Sequence, residues 1–349
     1  MIAEGRIWTP REAQRALDAG AFAVVVGSAI TRPRDITRLY ATRLKPWSER
    51  HACYLGIDLG GTNIKYGLVT GDGAVRHAGV DQTPVQEGRD AILDLVSSLS
   101  VRMFDDAREQ RLRPLAVGVS TAGWPDPATG RIAYGTANLP DWTGADLAGA
   151  VRRVLPDLAV YLENDANSLA VGEHCFGNAK GAQNFICVTL GTGVGAGIYC
   201  NSQLLRGSRF RAGALGHMIV EPNGLPCTCG RKGCLEPYAN AAALLRYAGK
   251  EEYGSARRVL GAANAGDEKA QAAIHRLADY LAGGLGCISR LLDPELIILS
   301  GGLAQENTFL LERLQKALPH VQVRTSGLGY HGGVSGAAAV ARSGLAGEL

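Results

Sequence analysis

The stretch YLGIDLGGTNIKYGLVTGDGAVRHAGV, residues 54–80, decides how this chain folds. It alternates strand-like apolar runs with glycine-rich turns, a pattern that predicts a β-meander. Its first turn, Ile57-Asp58-Leu59-Gly60-Gly61-Thr62, is echoed about 130 residues further on by Val188-Thr189-Leu190-Gly191-Thr192-Gly193. Each segment places Gly and Thr at a tight turn between two apolar strands. A repeat of this length indicates two homologous domains that face a shared cleft.

Apolar segments around the two turns predict the other elements. A helix is predicted over 90–110, and a buried strand, LAVGVST, over 115–121. The strand AVYLEND, 159–165, leads into a helix over 166–177, and the C-terminal half is mostly helical apart from a strand over 295–300. Strands that alternate with helices in this way predict an α/β fold.

Residues 1–45 form a separate unit of predicted strand, helix, strand and helix. Thr9-Pro10 marks the start of the first helix and Gly20 its end, and this alternation is typical of a parallel sheet. Two strands cannot close a barrel or form an independent core. A linker is predicted over 46–52.

Composition and charge exclude several classes of protein. A chain of 349 residues is long enough for two domains, and its net charge of +3 argues against a dedicated nucleic-acid surface. The charged N-terminus lacks the apolar run of a signal peptide. The longest apolar stretch, 185–200, is shorter than the roughly 20 residues of a membrane span. We therefore expect a cytoplasmic protein with neither a nucleic-acid partner nor a membrane partner.

The two glycine turns have the composition of phosphate-binding loops. Without Cβ atoms, the backbone N–H groups of Gly60-Gly61-Thr62 can approach a phosphate, and the threonine adds a hydroxyl. Taken alone, this turn also fits an ordinary hairpin, but together with Gly191-Thr192-Gly193 it predicts a clamp around the phosphates of MgATP. Asp58 is predicted to hold Mg²⁺ directly or through water, and Gly301-Gly302 to contact adenosine. Neither turn matches the P-loop pattern.

Asp165 is the predicted catalytic base. Phosphoryl transfer to a hydroxyl needs a carboxylate that orients the hydroxyl and accepts its proton. Asp165 ends an apolar strand and opens a helix, at the strand edge where α/β proteins bind ligands. The alternative is that Asp165 serves only as a helix N-cap. The amide of its neighbour Asn164 suits a sugar hydroxyl.

A histidine and three cysteines close together in the sequence predict a metal site. His217, Cys227, Cys229 and Cys234 are separated by glycines and a proline that let the chain turn back on itself. Three thiolates and one imidazole suit tetrahedral Zn²⁺, and four protein ligands leave no open position for water, which argues against a catalytic zinc. We therefore predict a structural zinc that fixes the loop carrying His217 and Glu236 to the substrate.

The motifs DLGGT, END, LGTGVGAG, GHM, CTCGRKGCLE and LSGG stand in the order found in the ROK (repressor, open reading frame, kinase) family, which residues 53–349 resemble. The resemblance implies an actin-like (ribonuclease H-like) two-domain ATPase fold and MgATP-dependent phosphorylation of a hexose at its 6-hydroxyl. It implies a smaller domain over 53–164, joined by a C-terminal helix over 335–349, and a larger domain over 165–334. Such kinases are usually homodimers, so we expect a homodimer.

The same resemblance implies which residues face the sugar. It places Asp165 as the base, with sugar contacts at Gly123, Thr136, Asn164, His217 and Glu236. Most members of the family have Glu three residues before the zinc histidine, whereas Ala214 takes its place here. N-acetylmannosamine kinases within the family can also lack this Glu. The resemblance therefore implies N-acetylmannosamine as the substrate.

Residues 1–45 resemble the last two βα units of N-acetylmannosamine-6-phosphate 2-epimerase, a (β/α)₈ barrel. The resemblance implies that they form a partial (β/α) barrel fragment. In that family Gly5 and Gly27-Ser28 belong to phosphate-binding loops. The preceding units are missing, so no epimerase activity is expected from the chain as written. The epimerase and the kinase catalyse consecutive steps of sialic-acid breakdown and can be fused, which favours the same substrate.

Two alternatives remain. One is a ROK kinase for glucose or N-acetylglucosamine, against which Ala214 and the epimerase-like segment argue. The other is a ROK repressor that binds sugar without phosphorylating it. Such repressors carry an N-terminal winged helix-turn-helix, whereas residues 1–50 have glycine-terminated βα units.

Overall fold

The computed structural model describes residues 1–4, 7, 9–26, 51–136, 138–305 and 307–349. Its first unit is a parallel pair of strands, β1 (Ile2–Glu4) and β2 (Ala23–Val25), joined by helix α1 (Pro10–Asp18). This is the strand–helix–strand order predicted from the sequence. The other predictions for this region lie outside the described residues: the second helix at 32–44, most of the linker at 46–50, Gly5 and Gly27-Ser28.

The first of two larger sheets begins with the predicted meander. Its strands are β3 (Ala52–Leu59), β4 (Asn63–Thr70), β5 (Val75–Gln82), β6 (Arg113–Thr121) and β9 (Ala159–Asn164). They lie in the order β5-β4-β3-β6-β9. The pairs β3–β4 and β4–β5 are antiparallel, which confirms the meander, and β3, β6 and β9 run parallel. A short hairpin of β7 (Trp124–Asp126) and β8 (Arg131–Tyr134) follows β6; the sequence patterns do not predict it.

The second sheet repeats the plan of the first. Its strands are β10 (Phe185–Leu190), β11 (Val194–Cys200), β12 (Gln203–Leu204), β13 (Leu296–Ser300) and β14 (Gln322–Thr325). They lie in the order β12-β11-β10-β13-β14. In both sheets the central strand forms an antiparallel hairpin with one neighbour through a glycine turn. On its other side it pairs with a parallel strand. The echo between the two turns is therefore confirmed in the topology, whereas β14 was not predicted.

Helices cover the faces of both sheets. They are α2 (Arg89–Glu109), α3 (Leu147–Val154), α4 (Asp165–Cys175), α5 (Glu236–Ala239), α6 (Ala241–Ala248), α7 (Lys250–Tyr253), α8 (Ala256–Asn264), α9 (Glu268–Leu292), α10 (Thr308–Ala317) and α11 (Gly332–Ala346). Apolar residues of α2 and α3 form one core with the first sheet, and those of α6, α8, α9 and α10 form another with the second. Each fully buried Leu or Ile in these cores contributes about 1.5–3 kcal/mol. No helix within the described residues is long and apolar enough to cross a bilayer.

Helix α11 packs directly on the first sheet. A Cβ atom added to Gly56 of β3 would lie 2.4 Å from the carbonyl oxygen of Val334, and one added to Gly118 of β6 would lie 1.8 Å from that of Ala337. Because glycine alone leaves this space free, the helix backbone can rest against the strands. Val334, Ala338 and Ala341 of α11 are buried in this contact, which fixes the distance between helix and sheet.

Candidate active site

A cavity of about 400 Å³ lies where the two sheets face each other. Residues at the carboxyl ends of β3, β6 and β9 border it from the first sheet, and those following β10 and β13 border it from the second. Most of the residues predicted to bind phosphate or sugar line it: Gly60, Gly61, Gly123, Thr136, Asn164, Asp165, Gly191, Thr192, Gly193, His217, Glu236 and Gly301. The structure thus brings both glycine turns and the predicted base to one site.

Asp165 is the first residue of α4, and its carboxylate is open to the cavity. Its Oδ1 accepts hydrogen bonds from the side-chain amide of Asn164 at 2.8 Å and from the backbone N–H of Ala166 at 2.9 Å. Both of these hydrogen bonds from neighbouring residues are made to the same oxygen, Oδ1. Desolvation by the surrounding protein, together with the negative charge of Asp58, raises the pKa of Asp165 to about 6. The group is therefore a stronger base than an ordinary aspartate, yet it is ionised at neutral pH.

Asn164, not Asp165, is the N-cap of α4. Its Oδ1 accepts the backbone N–H groups of Ala166 at 3.0 Å and Asn167 at 3.3 Å. Its Nδ2 donates to the Gly123 carbonyl at 2.8 Å as well as to Asp165. The alternative that Asp165 serves only as a cap is therefore wrong, because the cap position is already filled. The side chain of Asn164 borders the cavity, and its hydrogen bonds to protein groups hold the base in place.

Asp58 and Thr62 stand just outside this cavity. Oδ1 of Asp58 accepts from the Ser120 hydroxyl at 3.2 Å, and a Cβ on Gly333 would lie 2.0 Å from its Oδ2. Burial raises the pKa of Asp58, whereas Lys65 and the Ser120 hydroxyl lower it. Asp58 is nonetheless close enough for its charge to raise the pKa of the base. Thr62 faces a different depression, lined together with residues 82–87.

A second cavity, of about 980 Å³, adjoins the first across the turn Gly191-Thr192, which lines both. Gly302, predicted to contact adenosine, lines this second cavity. The preceding Gly301 has φ of 91°, and a Cβ there would lie 2.3 Å from the Leu190 carbonyl oxygen, so the turn requires glycine. Small and apolar side chains form much of the wall and suit a flat aromatic base: Ala241, Ala256, Leu260, Leu303 and Tyr330.

Glu236 forms the wall of the first cavity opposite Asp165's helix, beside the second glycine turn. Its Oε2 accepts the Val194 backbone N–H at 3.0 Å, and a Cβ on Gly193 would lie 2.6 Å from the same oxygen. Its Oε1 accepts the Thr228 hydroxyl at 3.4 Å. Glu236 therefore joins the glycine turn to the loop that carries the cysteines, and this loop also bears on the cavity through His217.

The predicted metal ligands converge on one point. One ligand atom from each of His217, Cys227, Cys229 and Cys234 lies within 4.8 Å of all the others. Sγ of Cys227 is 3.5 Å from Nδ1 of His217, and the Sγ atoms of Cys229 and Cys234 are 3.6 Å apart. A tetrahedral zinc with Zn–S bonds of about 2.3 Å places its sulfurs about 3.8 Å apart. The donor set and its spacing therefore fit Zn²⁺, with His217 shared between this cluster and the cavity.

Several residues that line or adjoin the cavity are not predicted from the sequence. Asn138 lines it next to Gly61, and Trp124 lines it from the β7–β8 hairpin. Arg211 stacks on the ring of Trp124, with its guanidinium carbon 5.1 Å from the ring centre, and on Tyr134 at 4.6 Å. These contacts join segments that are far apart in the sequence, so no local sequence pattern predicts them. The alanine at 214, singled out from the sequence, also lines the cavity.

Two sheets of one plan, each with a glycine turn at a shared cleft that a carboxylate also lines, are the arrangement of a sugar kinase of the actin-like ATPase fold. Within this class the chain belongs to the ROK family, whose sequence profile matches residues 54–343. It is 30% identical over 318 residues to the glucokinase of Thermotoga maritima, covering 84% of this chain and 98% of that one. A ROK glucokinase structure from Streptomyces griseus, in complex with glucose and AMPPNP, is 32% identical with a TM-score of 0.73, covering 83% of this chain and 99% of its own.

The N-terminal segment has a match of its own. The profile of the putative N-acetylmannosamine-6-phosphate epimerases covers residues 1–46. The bifunctional enzyme NanE/NanK of Brucella melitensis is 33% identical over 323 residues, which are 91% of this chain and 58% of that enzyme. Both resemblances drawn from the sequence are thus confirmed.

Proposed function

We propose that this chain transfers the γ-phosphoryl group of ATP to the 6-hydroxyl of N-acetylmannosamine, in sialic-acid catabolism. The observation that carries the phosphoryl-transfer step is the presence of Asp165 in one cavity with both glycine turns. A hydroxyl bound there meets a carboxylate that can take its proton, and phosphates beside the turns meet backbone N–H groups.

In this mechanism Oδ2 of Asp165 accepts the proton of the 6-hydroxyl as the hydroxyl oxygen attacks the γ-phosphorus, and ADP leaves. The two hydrogen bonds to Oδ1 prevent the carboxylate from rotating away. Asp58 would hold the Mg²⁺ that accompanies ATP, directly or through water, and the ion would neutralise part of the phosphate charge. The turns Gly60-Gly61 and Gly191-Thr192-Gly193 stabilise the charge on the phosphates from both sides.

The sugar is held by the remaining wall of the cavity. Oγ1 of Thr136 is buried and has no hydrogen-bond partner among the residues that the structure describes. An unpaired buried hydroxyl costs about 1–3 kcal/mol, and a sugar hydroxyl at this place removes that cost. His217 and Glu236 supply further polar groups, and Gly123 lines the same cavity.

The four-residue cluster holds a structural zinc in this proposal. His217, Cys227, Cys229 and Cys234 supply its full tetrahedral shell. When bound, the ion supplies no chemistry to the reaction beyond cross-linking the loop. The cross-linked loop would then hold His217 and Glu236 at a fixed distance from Asp165, and these residues of the chain itself would act at the cavity.

Two observations support N-acetylmannosamine over other hexoses. Ala214 lines the cavity with a methyl group, which leaves volume for an acetamido substituent and offers it an apolar neighbour. Residues 1–46 match the putative N-acetylmannosamine-6-phosphate epimerases. The compound on which such an epimerase acts is the product of N-acetylmannosamine phosphorylation. Both are properties of this chain's own sequence.

Glucose is the second candidate substrate. Glucokinases from Thermotoga maritima and Streptomyces griseus are similar to almost the whole ROK segment of this chain. A repressor that lacks phosphoryl transfer is disfavoured, because Asp165 stands in the cavity with both glycine turns.

A coupled assay of ADP formation tests the proposal. N-acetylmannosamine, glucose and N-acetylglucosamine are compared at equal MgATP, and the position of the new phosphate is read by ³¹P–¹H correlation. We expect the highest kcat/KM for N-acetylmannosamine and phosphate on O6. A higher kcat/KM for glucose refutes the substrate, and turnover of none of the three refutes the kinase.

A further inference from the structure

The segment 205–214, which we name the strap, closes the sugar side of the cavity. It follows β12 and leads to the 3₁₀ turn Leu215–His217. Its last residues, 212–214, line the cavity, and its backbone is hydrogen-bonded to β11 near both ends. The strap is thus a part of the second-sheet half of the molecule that the sugar touches.

Arg206 of the strap makes a buried ion pair with Glu163 at the end of β9. Nε of Arg206 lies 2.7 Å from Oε2, and the side chains are 19% and 4% exposed. In every other ion pair of the described residues both partners are more than a quarter exposed. Because two charges so far from water are retained only when they satisfy each other, this pair fixes the strap to the first-sheet half.

The second oxygen of Glu163 reaches the turn that carries the base. Oε1 accepts the backbone N–H of Asn164 at 2.9 Å and the side-chain amide of Asn167 at 3.0 Å. Asn164 in turn holds Oδ1 of Asp165. An unbroken series of hydrogen bonds therefore runs from the strap through Glu163 to the base.

We propose that Arg206 and Glu163 are positioning residues that couple the sugar-lining strap to the base at the start of α4. This inference rests on the proposed role of Asp165. The pair holds the strap and the Asn164–Asp165 turn at one relative position, so a sugar bound against 212–214 presents its hydroxyl to Oδ2. Loss of the pair leaves each wall of the cavity intact but removes the ion pair between the strap and the end of β9, while Arg211 of the strap still stacks on Trp124 and Tyr134.

A purely structural pair makes a different prediction. If it only stabilises the fold, its loss lowers the melting temperature and the amount of folded enzyme, while kcat per folded molecule stays the same. If it positions the base, kcat falls in molecules that are fully folded, because small misplacements of reacting groups cost up to about 10²-fold in rate. KM for MgATP is unaffected in that case, since the pair does not touch the nucleotide cavity.

The test compares Arg206→Met, Arg206→Lys and Glu163→Gln/Arg206→Met, with the sugar that wild type phosphorylates fastest. The double variant avoids the unpaired buried charge that makes a single variant unstable. Arg313→Met is the matched control, because Arg313 pairs with Asp279 at 2.8 Å on the surface. We expect kcat per folded molecule to fall about 10- to 100-fold in Arg206→Met and the double variant. We expect about threefold loss in Arg206→Lys, which keeps the charge, and no change in Arg313→Met.

A kcat within threefold of wild type in the folded double variant overturns the inference. Hydrogen–deuterium exchange at residues 164–168 is a second readout that does not need turnover. We expect these amides to exchange about tenfold faster in Arg206→Met, because Glu163 no longer holds Asn164 in place, and unchanged exchange also overturns the coupling. If wild type phosphorylates none of the three hexoses, the proposed function fails, and the exchange measurement still decides whether the pair holds the turn.

Discussion

Nδ2 of Asn164 donates to Oδ1 of Asp165 at 2.8 Å, so one oxygen of the base is fixed while the other faces the cavity. The residue that caps α4 is thereby also the residue that aims the base. A single asparagine therefore links the start of the helix to the carboxylate that we propose as the base.

Asp165→Asn is expected to lose about 10²–10⁴ in kcat, because the amide keeps the shape of the carboxylate but does not accept the proton. Sugar and MgATP still bind, as isothermal titration calorimetry will measure. The folded-state pKa of Asp165, about 6, lies above its ordinary value, so ionisation of Asp165 lowers the stability of the fold as pH rises from about 4 to about 6, and the loss is complete above that. The variant therefore melts no lower than wild type at pH 7.5. More than a tenth of wild-type kcat in the variant rules out Asp165 as the base.

The pH dependence of kcat/KM for the sugar reports the same group. The base must be ionised, so kcat/KM falls below about pH 6, by about tenfold per pH unit, following the raised pKa of Asp165. Circular dichroism at each pH separates this loss from acid unfolding. An inflection near pH 4, the ordinary range for aspartate, would mean that burial and the charge of Asp58 do not act on the base as the structure indicates.

Ala214→Glu is expected to shift preference from N-acetylmannosamine toward glucose. The glutamate fills the volume that the acetamido group needs, and a carboxylate left unpaired beside that group costs about 1–3 kcal/mol. Beside a glucose hydroxyl the same carboxylate is satisfied. Ala212→Glu, at another position lining the cavity, is the control for adding a charge. The measurement is the ratio of kcat/KM for the two sugars, and a ratio unchanged within about threefold means that residue 214 does not sense the 2-substituent.

Cys229→Ser is expected to lower both the zinc content and the melting temperature, since a closed tetrahedral shell loses one of its thiolates. Elemental analysis of wild type should give one zinc per chain. Cys287→Ser provides the control, because Cys287 is also exposed and lies outside the cluster. A folded, active wild-type sample without zinc contradicts the assignment.

Gly118→Ala is expected to destabilise the protein by about 1–3 kcal/mol or more, as overpacking does. Its Cβ lies 1.8 Å from the carbonyl oxygen of Ala337, so α11 must move away from the sheet. Gly283→Ala is the control: the added methyl in α9 meets nothing within 4 Å, and alanine is the better helix former by about 0.5–1 kcal/mol. Urea unfolding will measure both, and equal effects would contradict the close packing of α11.

Local patterns explain why much of the fold could be predicted from the sequence. The two hairpins follow from glycine and threonine between apolar runs, and α2, predicted over 90–110, spans Arg89–Glu109. The strand β14 could not be predicted in this way, because its four residues give no usable period. The two-residue strand β12 could not be predicted either, since it is defined only by its pairing with β11.

The residues of the candidate site also differ in whether a local sequence pattern reveals them. Asp165 could be found because a strand end followed by a helix start is visible in the sequence. Glu163 and Arg206 could not be paired, because they stand 43 residues apart and each looks like an ordinary surface charge. The sequence could not show that Asn164 is the N-cap, since Asn and Asp are equally good caps. Only the structure shows which of the two residues caps α4.

The packing of α11 has a consequence for biosynthesis. The strands that carry Gly56 and Gly118 are complete once β9 has been made, but the helix that covers them begins at Gly332. At about 5–20 residues per second, a ribosome needs roughly 10 to 30 s to add the chain in between. During that time one face of the first sheet is exposed on the nascent chain and open to chaperones. The half of the kinase that is synthesised first therefore waits for the last helix of the chain to complete its core.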